Sequence, residues 1–185
     1  MNLSRSSLFC LLHEERVYKL QQMRKILIVT FFFLAISTTA CRNKFTNPDK
    51  EQISIVKDSC LQLMNRIPAT LSRSGPGGWL VFFEDNPEFF MASDGDMVFP
   101  DHKTAEKIIT GTLSKEFEKI DLRWNQLRVD YVSDNFGTIS AAFDETLFFF
   151  GGKKTTVEGY FTATGHRTIA GWKLLNAHWS IKTKQ

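Results

Sequence analysis

The sequence is short of cysteine. Cys10, Cys41 and Cys60 are its only thiols, too few and too scattered for a disulfide framework or a paired-cysteine zinc site. Tyrosine is scarce as well, with 3 against 17 Phe and 4 Trp. Phe has no polar handle, so such a stock belongs in a core, an apolar cavity or an interface. Net charge is missing where it would matter most. The formal +3 resides in the first forty residues, where Arg5, Arg16, Lys19, Arg24 and Lys25 face only Glu14 and Glu15. From Cys41 onward the two signs balance. A neutral domain with interspersed charges offers no electrostatic footprint for nucleic acid, and that class of partner is excluded.

Chemical motifs are equally sparse. No Gly-x-Ser-x-Gly elbow presents a nucleophile. Gly75-Pro-Gly-Gly78 lacks the Lys-Ser/Thr that completes a phosphate loop. His102, His166 and His178 show no ligand spacing, and Asp94-Gly-Asp96 is too short for a calcium loop. Neither a metal nor a cofactor is expected. No repeat or low-complexity stretch interrupts the chain, and its 43% hydrophobic content suffices for a core.

What is present begins with an export leader. Met23-Arg24-Lys25 is a positive n-region, residues 26–36 form an eleven-residue apolar run, and Ser37-Thr-Thr-Ala40 supplies small residues before Cys41. This is the layout of a secretory signal, and the run is too short to span a bilayer comfortably. The junction resembles a bacterial lipobox, in which the Cys is diacylated and becomes the mature N-terminus. Ala40 fits that pattern; Thr38 stands where it usually has Leu, Val or Ile. Lipidation of Cys41 is expected, with ordinary cleavage after Ala40 as the alternative. Residues 1–22 read as an over-extended gene start, 23–40 as the signal peptide, 41–48 as a tether and 49–185 as the domain. The expected location is the cell envelope, periplasmic or held at a membrane by the anchor.

Within the domain, Ile53, Val56, Cys60, Leu63, Met64 and Ile67 recur at helical steps, predicting a helix over 49–73 that Pro68 should end or kink. Cys60 falls on its apolar stripe and reads as a small buried hydrophobe. Residues 88–99 form two apolar runs around Asp94-Gly95, a hairpin signature. A second helix starts at Asp101 or His102, with Ala105, Ile108, Ile109, Leu113 and Phe117 as its buried face. From Asp121 the period becomes two, predicting strands over 123–133, 138–150, 155–164 and 168–182. Their joints, among them Gly165-His166-Arg167, are short enough to make neighbours antiparallel. Helices segregated beside an antiparallel sheet make an α+β fold.

The order of elements, the Asp94-Gly95 turn before the Thr104-Ala105-Glu106 helix, and the closing strand Gly171-Trp-Lys-Leu-Leu-Asn-Ala-His-Trp-Ser180 together resemble the NTF2-like superfamily, in its SnoaL-like branch. Members often end on a Gly-Trp pair, apolar residues, then a His and a Ser. The resemblance covers nearly all of the domain. It implies a cone, a curved antiparallel sheet wrapped around N-terminal helices and enclosing a pocket, and often a dimer through the sheet's outer face. It implies no particular reaction, because the superfamily includes isomerases, dehydratases, cyclases and pure binders.

A ketosteroid-type dyad is missing: residues 49–73 contain no Tyr, and Phe89-Phe90-Met91 occupies the place of a base. The expected function is therefore binding of a small apolar or aromatic molecule, lined by Trp79, Phe90, Tyr131, Phe143, Phe161 and Trp179. One alternative is a SnoaL-type cyclase, isomerase or dehydratase with Asp130 or His178 as base. Another is a dimerising accessory module whose cone is filled by its own side chains. Alternation on the last strand leaves open which face His178 takes, because both faces are partly apolar. His166 reads as a solvated turn residue, and Asp144 as a solvent-face carboxylate. Consecutive Phe148, Phe149 and Phe150 must place at least one ring away from the core, and a homodimer is the expected cover.

Overall fold

The computed structural model describes residues 48–182. The extension, signal segment, Cys41 and most of the tether lie outside the described residues.

Helix α1 runs Lys50–Ser74. Asp49 caps it, accepting from the Glu51 amide at 3.2 Å. Its stripe of Val56, Cys60, Leu63, Met64, Ile67 and Leu71 is buried, and the Cys60 thiol is pushed up to about 11 by that burial. Pro68 does not end the helix. Proline at this position removes the amide that would bond the Met64 carbonyl one turn back. The indole Nε1 of Trp124 replaces it, donating to Met64 O at 3.0 Å. Helix α1 ends instead at Gly75, whose φ of 60° suits a residue without Cβ.

A 3-10 turn, Gly75–Trp79, leads towards the hairpin of β1 (Phe90–Ser93) and β2 (Asp96–Phe99). Asp94 and Gly95 both have positive φ, 51° and 97°, the backbone of a primed two-residue turn. Asp94 also ties the hairpin to the end of the sheet, because its carboxylate accepts from the Ile181 amide at 2.8 Å. Helix α2 (His102–Ile108) starts on Asp101, which accepts from the Thr104 amide at 2.6 Å. It widens into a π turn over Ile109–Leu113 and closes with Ser114–Glu116. Phe117, expected on this helix, is instead the first residue of a strand.

Strands β3 (Phe117–Ser133), β4 (Phe136–Phe149), β5 (Lys154–Thr168) and β6 (Gly171–Ile181) form an antiparallel meander. The full order is β2-β1-β6-β5-β4-β3, with β1 parallel to β6. The last joint is not Gly165-His166-Arg167; β5 continues through it and turns at Ile169-Ala170. Gly165 is there for a close approach rather than a turn: a Cβ on it would lie 2.9 Å from Cys60 Sγ. His166 is correspondingly half-buried and bonded rather than a free turn residue. It bonds Glu84 at 2.7 Å and stacks on Phe136 at 4.4 Å between ring centres.

Two bulges explain the apolar pattern. On β3 the register slips between Asn125 and Arg128, around Gln126 at φ 51°. On β6, Thr164 and Gly165 pair with Asn176 and Leu174, skipping Leu175. A bulge inserts one residue and reverses the alternation beyond it. Leu174 and Trp179 are therefore both buried although opposite in parity.

The core lies between α1 and the concave face of the sheet, and α1 packs chiefly on β3. Gly159 is indispensable to this packing. A Cβ there would meet Ser180 O at 2.0 Å and Phe143 Cζ at 2.5 Å. Gly159→Ala is expected to cost about 1–3 kcal/mol, read as a lower urea midpoint; an unchanged midpoint would show that β5 and β6 separate freely.

Candidate ligand cavity

A cavity of about 410 Å³ lies inside the cone. The β1–β2 hairpin contributes Met91, Ser93, Val98 and Phe99; α2 and its π turn contribute Ile108, Ile109 and Leu113. The segment after α1 places Pro76, Trp79 and Phe83 there, and Phe117, Ile120, Leu147 and Trp179 complete the wall from β3, β4 and β6. Trp79 stacks near-parallel on Phe83 at 5.7 Å and meets Trp179 edge-on at 5.9 Å. Such contacts hold rings rigid, so the wall is preformed.

One lining residue is charged. Glu145, on β4, is 8% exposed and is the single buried charged residue among the described residues. Its register partners are Leu122 and Val157. Among the described residues its carboxylate has no hydrogen bond and no ion pair. Burial alone pushes it up to about 7, because an anion is costly away from bulk water; its oxygens open onto the cavity, since no fully buried side-chain oxygen among the described residues lacks a partner. Among the described residues the other polar side-chain groups of the wall are the Ser93 hydroxyl and the indole N–H groups of Trp79 and Trp179.

The residues expected from sequence are distributed unevenly. Trp79 and Trp179 line the cavity. Phe143 and Phe161 are fully buried but pack behind Trp179, at 4.0 and 5.4 Å between ring centres. Phe90 is exposed at 39%. Tyr131 sits near the far end of β3, donating to Asp134 at 2.7 Å. Asp130 pairs with Arg128 on the same strand at 2.7 Å and does not reach the cavity. His178 is exposed, on the opposite face from Trp179. Asp144 also points away from the cavity, accepting from Asn125 at 2.7 Å.

No protein-family model matches the sequence, and no curated protein matches it in sequence. Solved structures do match in shape. An NTF2-like superfamily protein of Salmonella enterica serovar Typhimurium superposes with TM-score 0.61 at 19% identity, covering 71% of this chain and 94% of that one. The chain has the NTF2-like fold. A scytalone dehydratase candidate from Novosphingobium aromaticivorans gives 0.59 at 11% identity, covering 68% and 83%. A type-3 hexachlorocyclohexane dehydrochlorinase of Novosphingobium barchaimii gives 0.55 at 11%, covering 68% and 86%. At these identities the likeness concerns the fold alone. The six-stranded curved sheet wrapped around helices is the cone that the closing Gly171-Trp172 strand suggested.

Sequence reasoning passed over Glu145, although a signal was there. Ile139, Ala141, Phe143, Glu145 and Leu147 occupy alternate positions of one strand, and the four others are apolar. On a two-residue period, an acid in that series faces the core. Asp144 drew attention instead, and it lies on the outer phase with Ala142 and Thr146.

Proposed function

We propose that this NTF2-like domain is a cell-envelope receptor for a small, largely apolar or aromatic molecule held in its cone. The observation that carries this reading is the preformed cavity of about 410 Å³ walled by Trp79, Phe83, Phe99, Phe117 and Trp179, a size and lining suited to small-molecule burial. A cavity of this size does not fit an accessory module whose cone is filled by its own side chains. The envelope location rests on the leader and Cys41. The proposed homodimer rests on Phe150, 57% exposed at the end of β4.

One observation favours a second reading, an enzyme of the isomerase or dehydratase kind. A carboxyl near neutrality, aimed into an apolar cavity, is suited to proton transfer. Two of the fold's neighbours bear names of elimination enzymes, a dehydratase and a dehydrochlorinase. In this reading Glu145 takes the role expected for Asp130 or His178. Binding ranks first because the other polar side-chain groups lining the cavity are the Ser93 hydroxyl and the indole N–H groups of Trp79 and Trp179, none of which is an acid–base partner for Glu145.

Native mass spectrometry of protein purified from its own host tests the proposal. A retained small molecule is expected, on a dimer whose subunits begin at an acylated Cys41. Protein that is empty as isolated and takes up no aromatic compound would overturn the binding reading. Subunits retaining residues 23–40 would overturn the envelope location.

A further inference from the structure

Glu145 is anomalous even for a binding cavity. An apolar ligand gains nothing from a carboxyl in the wall, and that carboxyl costs the fold free energy whenever it ionises. Among the described residues no lysine, arginine or histidine lines the cavity, the strand neighbours of Glu145 are Leu122 on β3 and Val157 on β5, and no charged neighbour contributes to its shift, which burial alone causes. The rings beside it are of the kind that attract cations. An aromatic face carries a negative quadrupole that attracts a desolvated cation placed over it. A wall of ring faces with one unpaired carboxyl therefore presents mainly negative potential, with the Ser93 hydroxyl and the indole N–H edges of Trp79 and Trp179 as its neutral donors. It disfavours anions, and it can be made neutral only by a proton or by a cation that the ligand brings.

We infer that the cone selects an organic cation, an amine or quaternary ammonium on an apolar or aromatic frame, with Glu145 as its counter-ion and the cavity's rings surrounding both the frame and the charged head. The inference rests on the binding reading and narrows it to a ligand class. Only the ionised form of Glu145 is competent to pair, so binding of a permanent cation is penalised by the fraction of carboxyl that is protonated. With the carboxyl at about 7, roughly one molecule in a hundred is competent at pH 5 and about nine in ten at pH 8. A quaternary ammonium carries no titrating proton, so its pH dependence reports on the protein alone.

The test compares benzyltrimethylammonium with its carbon isostere neopentylbenzene and with phenylacetone, using full-length protein and its Glu145→Gln variant, by calorimetry or quenching of tryptophan fluorescence. At pH 8 the cation is expected to bind about tenfold or more tighter than neopentylbenzene. Its Kd should fall by one to two orders of magnitude, roughly, from pH 5 to pH 8. In Glu145→Gln the preference should fall about tenfold or more and the pH dependence flatten, while continued binding of neopentylbenzene shows that the cavity is intact. Neutral compounds binding as well as the cation would overturn the inference and leave the receptor reading standing. Phenylacetone binding tightest at pH 5 would do the same, because a protonated carboxyl would then be donating to a carbonyl. No binding by any of the three, to protein that also retains no molecule as isolated, would overturn both.

Discussion

Glu145→Gln should make the protein more stable than its parent above neutral pH and leave it nearly unchanged near pH 4.5. In the fold the carboxyl titrates at about 7, against 4.5 for the free group, and desolvation is the cause. A raised carboxyl means the native state binds the proton more tightly than the unfolded chain. Stability from this group is thus fully present below 4.5 and is lost as pH climbs through 7. Two and a half units correspond to about 3 kcal/mol, a large share of the 5–15 kcal/mol, roughly, that holds a domain together. Glutamine does not ionise, so this component disappears. Urea titrations at pH 5 and pH 8 read the difference. If parent and variant fall in parallel between those values, Glu145 is solvated or paired, and the cavity holds no desolvated acid. The stability lost to an unpaired acid is the kind of sacrifice that active and binding sites make.

Trp124→Ala is expected to cost about 3 kcal/mol or more, because it removes a large side chain from the concave face and orphans a buried carbonyl at once. Trp124 packs on Phe161 at 5.1 Å and on Trp179 at 5.9 Å, and it donates to the carbonyl of Met64, a residue 0% exposed. The two contributions separate in a cycle. Trp124→Phe keeps one ring and loses the donor with the rest of the indole, which should cost about 1–3 kcal/mol. In a Pro68→Ala background the helix regains its own amide for Met64 O, and the same substitution should cost about 1 kcal/mol less. Equal costs in both backgrounds would show that the indole bond is incidental to the helix surviving its proline.

Much of the fold was legible because it is local. The stripe from Val56 to Leu71, the Asp94-Gly95 turn and the switch to a two-residue period each depend on neighbours within a few positions. Pro68 misled because its remedy, the Trp124 indole, lies 60 residues in sequence from the Met64 carbonyl that it satisfies. Gly165 misled for a similar reason. Glycine marks a turn when φ requires it and a close approach when a neighbour does, and the neighbour here is the Cys60 thiol on α1. The face of His178 was ambiguous because a bulge at Leu175 reverses parity mid-strand, and bulges respond to sheet curvature rather than to composition.

The cavity shows the same division. Its aromatic character was written in the composition, and Trp79 and Trp179 were expected at its wall. Which other rings became lining and which became core was settled by packing: Phe143 and Phe161 carry the same side chain as Phe99 and Phe117 but lie behind Trp179. The sequence by itself determined an α+β chain with a Phe-rich interior, a Gly-Trp closing strand and no motif for metal, phosphate or nucleophilic chemistry. The tertiary structure alone decided that a carboxyl would stand unpaired in that interior, because pairing depends on which charges fold within reach, and folding brought none to Glu145 among the described residues.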